Sequence, residues 1–156
     1  MTQKKMAIIA TKGTLDWAYP PFILASTAGA LGYEVQIFFT FYGLSLLKKD
    51  LSDVKISPLA NPAMPMPVPM PVMVQMLPGM EAMATMMMKA KMKKKGVASL
   101  TELRDMCIDV DVKFVACQMT VDLFDFEKKD FIDNIEYGGA STFMEFAGES
   151  DICLYI

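Results

Sequence analysis

Covalent chemistry in this chain can rest on very few residues. The 156 residues include three cysteines, Cys107, Cys117 and Cys153, and no histidine. That excludes imidazole general-base catalysis, Ser–His–Asp triads and His-ligated metals. Cys117 is the best placed of the three: it ends the apolar run Val112–Cys117, shortly before an expected helix start. Helix N–H groups and the helix dipole favour thiolate over thiol there. Read from the residues alone, an apolar-flanked cysteine is equally a small core side chain. Cys153, inside Ile152-Cys153-Leu154, reads as core; Cys107 reads as core first and as a secondary thiol candidate second.

The elements that must position these residues alternate along the chain. Ala7–Ala10 suits a strand buried on both faces, and Pro20-Pro21 opens a helix over Phe22–Leu31 that Gly32 closes. A β-branched and aromatic strand over Glu34–Thr40 is followed by a short amphipathic helix over Gly43–Lys49. Ser99 with Glu102 forms a capping box for a helix whose face carries Leu100, Leu103, Met106 and Cys107, and Val112–Cys117 is the next strand. Short helices are expected from Val121 and around Lys128–Asn134, then a tight turn at Tyr137-Gly138-Gly139. Ser141 caps a helix over Thr142–Ala147, and Ile152–Ile156 is a last apolar strand. Alternating strands and helices predict an α/β fold with an open, mainly parallel sheet of about five strands.

In such sheets ligands bind outside the carboxyl ends of the strands. The residues leaving each strand are therefore the candidate substrate or anion contacts: Lys12, Gly13, Tyr42, Gly43, Gln118, Gly138 and Gly139. Lys12 can assist a thiolate, and the glycines admit backbone N–H groups close to a sulfur-oxygen anion or a persulfide. Cys107 closes a crossover helix at the amino edge, about 15–20 Å from Cys117 at the carboxyl edge, too far for a disulfide.

Composition bounds the partners. A net charge of −3 divides into eleven lysines against five acids over residues 1–95, and four bases against thirteen acids over residues 96–156. Without an extended basic face, nucleic acid is not an expected partner. An odd number of cysteines in a chain able to build its own core points to a reducing compartment. The Ala7–Ala10 run is too short for a signal sequence, so a cytoplasmic location is expected.

One domain over residues 1–156 is expected, interrupted at about 57–95 by a biased insert. Eleven of the 16 methionines lie between Met64 and Met92, and seven of the nine prolines between Pro58 and Pro78. The stretch Ile56–Met80 is uncharged, but its prolines remove too many backbone donors for a membrane-spanning helix. Pro58–Pro78 reads as an extended loop and Met80–Met92 as a helix ending at Lys93–Gly96. Methionines at three- and four-residue steps suit an adaptable partner or oligomer face. Thioether binding of Cu(I), peripheral membrane contact through Lys89–Lys95, and a plain core helix are the alternatives.

Three segments carry a resemblance: Ala116-Cys117-Gln118-Met119-Thr120-Val121-Asp122-Leu123-Phe124, Ile135-Glu136-Tyr137-Gly138-Gly139-Ala140, and Phe39-Thr40-Phe41-Tyr42-Gly43-Leu44. Together they resemble the DsrE/DsrF/DsrH-like family of sulfur-relay proteins, in the branch often labelled peroxiredoxin-like. Val110–Cys117 holds neither the peroxidatic motif nor a nearby arginine that this label needs. The resemblance implies a three-layer α/β/α domain that forms trimers or hexamers, with Cys117 carrying sulfane sulfur between donor and acceptor thiols and no cofactor. The alternative reading is a non-enzymatic scaffold whose cysteines are structural and whose Met/Pro-rich segment binds a partner.

Overall fold

The computed structural model describes residues 2–58, 63, 65, 67, 68 and 70–156. Its centre is a five-stranded sheet in the order β4-β3-β2-β1-β5, every neighbouring pair parallel. In chain order the elements are β1 (Lys5–Ala10), α1 (Leu15–Ala30), β2 (Glu34–Phe39), a 3-10 helix (Phe41–Leu47), α2 (Val72–Gln75), α3 (Met80–Lys94) and α4 (Leu100–Asp109). Then come β3 (Lys113–Cys117), α5 (Gln118–Leu123), a 3-10 turn (Lys128–Asp130), β4 (Ile135–Gly138), α6 (Ala140–Ala147) and β5 (Ile152–Tyr155).

Strand alternation sorts the core into two layers. Met6, Ile8, Ala10, Val35, Ile37, Phe39, Phe114 and Ala116 face α1 and α4, whereas Ala7, Phe38, Val115 and Cys117 face Phe143 of α6. The result is the expected three-layer α/β/α arrangement. The progression of the chain explains it: from β1 to β4 the strands are added in one direction, and after β4 the chain turns back to place β5 beside β1. Crossovers keep one hand, so reversing direction moves the connecting helix to the other face.

The larger layer is locked by three rings. Phe22, Phe39 and Phe114, each at most 1 % exposed, pack pairwise at centroid distances of 5.5–5.9 Å, two of the pairs edge-to-face. Arg104, only 3 % exposed, donates from Nη1 to the carbonyls of Leu46 and Lys48 at 3.0 and 2.6 Å. It thereby ties α4 to the end of the first 3-10 helix.

Several expectations are corrected. α1 begins at Leu15 and runs through Pro20 and Pro21, because the buried stripe Leu15, Ala18, Phe22, Ala25 and Ala28 outweighs two lost backbone donors. Gly43–Lys49 gives way to a 3-10 helix over Phe41–Leu47, and the helix expected from Val121 already starts at Gln118. Only Lys128–Asp130 is helical in the 128–134 stretch, and Tyr137-Gly138 belongs to strand β4. The glycines and Glu136 disguised that strand as a turn. The Ser99–Glu102 capping box is present, but on α4 it is Arg104 that is buried and Met106 that is exposed. Gly139, not Ser141, is the N-cap of α6. Cys153 is exposed, because β5 is an edge strand whose other-face residues lie beyond the cover of α6.

The insert is partly core. Thr85 of α3 accepts the Ile56 N–H at 3.1 Å and donates to the Glu81 carbonyl at 2.8 Å, pinning the helix while Ala84, Met88 and Met92 pack on the large layer. Met83, Met86 and Met87 point to solvent. Where an extended loop was expected, Val72–Gln75 forms one helical turn; positions 59–62, 64, 66 and 69 of that loop lie outside the described residues.

Phe22→Ala is expected to cost about 3–5 kcal/mol of unfolding free energy by removing one ring of the triad. Met86→Ala, on the exposed face of α3, is expected to change it by less than about 0.5 kcal/mol. Urea denaturation of the two variants checks both.

Candidate functional site

The sheet topology creates a switch point at one place on its carboxyl edge. After β3 the chain turns to the large layer, where α5 buries Val121, and after β4 it turns to the opposite layer, where α6 buries Phe143. The two strand ends diverge there, and ligand sites in open α/β sheets form where strand ends diverge. The residues that face each other across that fork are Cys117 of β3 and Gly138 of β4.

Gly138 is required by close approach. A Cβ on it would lie 2.8 Å from Thr142 Oγ1 and 2.9 Å from Thr142 Cβ. The first turn of α6 therefore sits directly on the strand end next to the thiol.

Cys117 is 5 % exposed. Burial pushes its thiol pKa up, but hydrogen bonds from the Thr120 hydroxyl and N–H, the Thr40 hydroxyl and the Met119 N–H outweigh it, leaving the pKa below the usual cysteine value. The fold supplies these groups from two elements. Thr40 leaves β2, Thr120 lies on the first turn of α5, and their hydroxyls are 3.1 Å apart. Thr120 Oγ1 also accepts the Phe41 N–H at 3.4 Å, so the start of the first 3-10 helix is tied to the same hydroxyl.

Cys107 shows the opposite balance. It is fully buried in the large layer, on the other side of the sheet from Cys117, and donates its S–H to the Phe22 carbonyl at 3.3 Å. Burial pushes its thiol up to about 12, with hydrogen bonding from Ser26 offsetting only part of the effect. The secondary thiol candidate is thus placed as a protonated core group, apart from Cys117. All three cysteines are free.

The other candidates divide into two groups. Lys12, Gly13 and Tyr42 line one cavity, with Lys12 Nζ 3.3 Å from the centroid of the Trp17 ring. Gly43 is held by the backbone: its N–H is shared between the carbonyls of Thr11 and Thr40 at 3.1 and 3.0 Å, and a Cβ would lie 2.2 Å from the Ala10 carbonyl oxygen. Its N–H is spent on the fold, not open to an anion. Gln118 donates to Asp122 Oδ1 at 2.7 Å, and Gly139 begins α6 beside Gly138. Sequence reasoning missed Thr40 and Thr120 as the groups acting on the sulfur; the signal was a hydroxyl residue at the end of β2 and another three positions after the cysteine.

Among the described residues no group of three or more His, Cys, Asp or Glu side chains is arranged to hold a metal ion. Nor is any helix among them long and apolar enough to cross a membrane.

The family model described as the DsrE/DsrF/DrsH-like family matches residues 2–155. The chain belongs to that family. It is 68 % identical, over the full length of both chains, to a protein of Allochromatium vinosum named sulfur carrier protein DsrE2. It is 33 % identical to the uncharacterized protein YrkE of Bacillus subtilis, covering 98 % of this chain and 97 % of that one. Among solved structures the ychN protein from E. coli superposes with a TM-score of 0.57 at 10 % identity, covering 99 % of this chain and all of the other, a likeness of fold. Within this DsrE-like fold Cys117 lies at the β3–β4 fork.

Alkylation followed by mass mapping is expected to leave Cys107 unmodified in the native protein and to modify it only after unfolding. Thr120→Val removes a hydroxyl that favours the thiolate, so Cys117 alkylation at neutral pH is expected to slow by about tenfold.

Proposed function

We propose that this protein is a sulfur carrier that holds sulfane sulfur on Cys117 and passes it to an acceptor thiol. The observation carrying this reading is the Cys117 sulfur itself: nearly closed off from water, at the sheet's one carboxyl-edge fork, with hydroxyl and N–H donors favouring its thiolate. The relative named as a sulfur carrier, at 68 % identity, supports it.

The chemistry is an exchange at sulfur. The Cys117 thiolate attacks the outer sulfur of a donor persulfide; the new Cys–S–S bond forms as the donor's S–S bond breaks, and the donor leaves as its thiolate. The carried sulfur is held as a persulfide until an acceptor thiolate attacks it, regenerating the Cys117 thiolate. The transfer conserves electrons, so it needs no external oxidant or reductant. With a thiosulfonate donor the same attack leaves the –SO₃ group on the carried sulfur. The donors that favour the Cys117 thiolate also favour its departure as leaving group in the second step.

Partners in this reading are donor and acceptor proteins or small sulfur compounds. Met119 and Leu123 of α5 and Met144 of α6, on the helices that follow β3 and β4, are exposed and offer them adaptable apolar contacts. The exposed methionines of α3 and the edge strand β5 are surfaces for self-association into the trimer or hexamer of this reading, or for contact with a membrane face. A cytoplasmic location accords with thiol chemistry kept reduced.

Incubation with polysulfide or thiosulfate followed by intact-mass analysis is expected to add sulfur to the wild type. Cys117→Ser is expected to abolish the addition, and a Cys117→Ser protein that still loads contradicts the assignment. Removing residues 60–75 is expected to leave loading intact, because none of the groups acting on Cys117 lies in the insert.

A further inference from the structure

The cavity lined by Lys12, Gly13 and Tyr42 lies at the carboxyl edge of the sheet, on the side of α1, and the sulfur chemistry makes no use of it. It encloses about 680 Å³, within the range of small-ligand sites. Four separate segments converge on it: Lys12 and Trp17 around the start of α1, Phe41 and Tyr42 from the first 3-10 helix, Ser57 at the start of the insert, and Phe124 and Phe126 after α5. Phe124 stacks on Tyr42 at 6.0 Å with planes 18° apart and meets Phe41 edge-on at 6.4 Å. The walls are thus organised, yet Trp17, Phe41, Tyr42 and Phe124 stay 37–69 % exposed. Keeping four such rings in water forfeits the apolar burial that a core position would supply.

The backbone is bent to present this surface. Phe41 adopts φ +48°, in the left-handed region that a bulky side chain rarely enters. Gly13 allows the β1 loop to lie against the 3-10 helix, since a Cβ there would come 2.3 Å from both the Tyr42 carbonyl oxygen and Ser45 Oγ.

The charge is equally one-sided. Lys12 is the only ionisable cation or anion of the lining, and its Nζ rests 3.3 Å from the centroid of the Trp17 ring. It joins no ion pair among the described residues. The nearby carboxylate, Asp16, accepts the Ser57 N–H at 2.9 Å and forms no ion pair with Lys12. An aromatic wall carrying one ammonium that no carboxylate pairs is complementary to a flat apolar body that ends in a single negative group.

We propose that the cavity between Lys12, Trp17, Phe41, Tyr42, Phe124 and Phe126 binds a small aromatic anion, a planar ring system bearing one carboxylate or sulfonate. The ring system packs against the exposed Phe41, Tyr42 and Phe124 rings, and Lys12 pairs with the acidic group.

Trp17 is the only tryptophan of the chain, so occupancy has a built-in reporter. The full-length protein is titrated with 1-anilinonaphthalene-8-sulfonate, and energy transfer from Trp17 to the dye is read. Saturable one-site transfer is expected. Lys12→Met keeps an aliphatic stem over Trp17 but removes the charge, and is expected to weaken binding by about tenfold, the scale of one charged hydrogen bond. Lys12→Arg is expected to retain it. Naphthalene-2-sulfonate is expected to compete, and inorganic sulfate at the same concentration is not. Lys12 is exposed, so neither substitution disturbs the core. Equal affinity in Lys12→Met, or transfer that never saturates, overturns the proposal. So does loss of transfer in a Met86→Lys, Met87→Lys double variant, which would place the dye on α3. The readout is independent of sulfur loading, so its failure leaves the role of Cys117 standing.

Discussion

A buried thiolate persists only where hydrogen-bond donors replace the water it has lost. The chain contains both outcomes of that constraint. At Cys107 burial dominates, Ser26 compensates in part, and the thiol is pushed up to about 12. At Cys117 two hydroxyls and two N–H groups overturn the burial penalty. The difference lies in depth and in place. Cys107 sits mid-layer between α1 and α4, where helical N–H groups are already bonded to helical carbonyls. Cys117 sits where a strand becomes a helix, and the first N–H groups of a helix have no intrahelical partner.

The rest of the fold serves that position. The reversal of strand order after β4 opens the fork at Cys117 and Gly138. The Thr40 and Thr120 hydroxyls, 3.1 Å apart, bring the end of β2 and α5 to the same sulfur, and the Phe41 N–H joins the first 3-10 helix to the Thr120 hydroxyl. Arg104 then anchors the far end of that 3-10 helix to α4. A chain of contacts thus runs from the large core layer to the sulfur. It explains how a six-residue helix with little core of its own can hold a thiol in a defined setting.

Much of this was legible in the sequence, and the exceptions have physical causes. The apolar runs around Ile8, Ile37 and Phe114 carried the central strands, and the Ser99–Glu102 pair marked the start of α4. β4 was hidden because Glu136 and two glycines carry turn chemistry, and its strand character comes from pairing with β3. α1 was truncated because prolines at 20 and 21 read as a helix start, although the apolar stripe begins at Leu15. Cys117 was legible as a thiol at a strand end. Its hydroxyl partner Thr40 was not, because the two are 77 positions apart in sequence and meet only through the β2–β3 pairing. Lys12 was read as the thiol's helper, whereas the fold lays it on Trp17.

The most direct test of the account is the titration of Cys117 itself, followed by the ¹³Cβ shift of labelled cysteine in the wild type and in Thr120→Val. The thiolate is favoured by donors that the substitution removes, so the wild-type midpoint is expected below the usual cysteine value and the variant's midpoint above that of the wild type. A wild-type midpoint at or above the usual value, or one that Thr120→Val does not move, contradicts it.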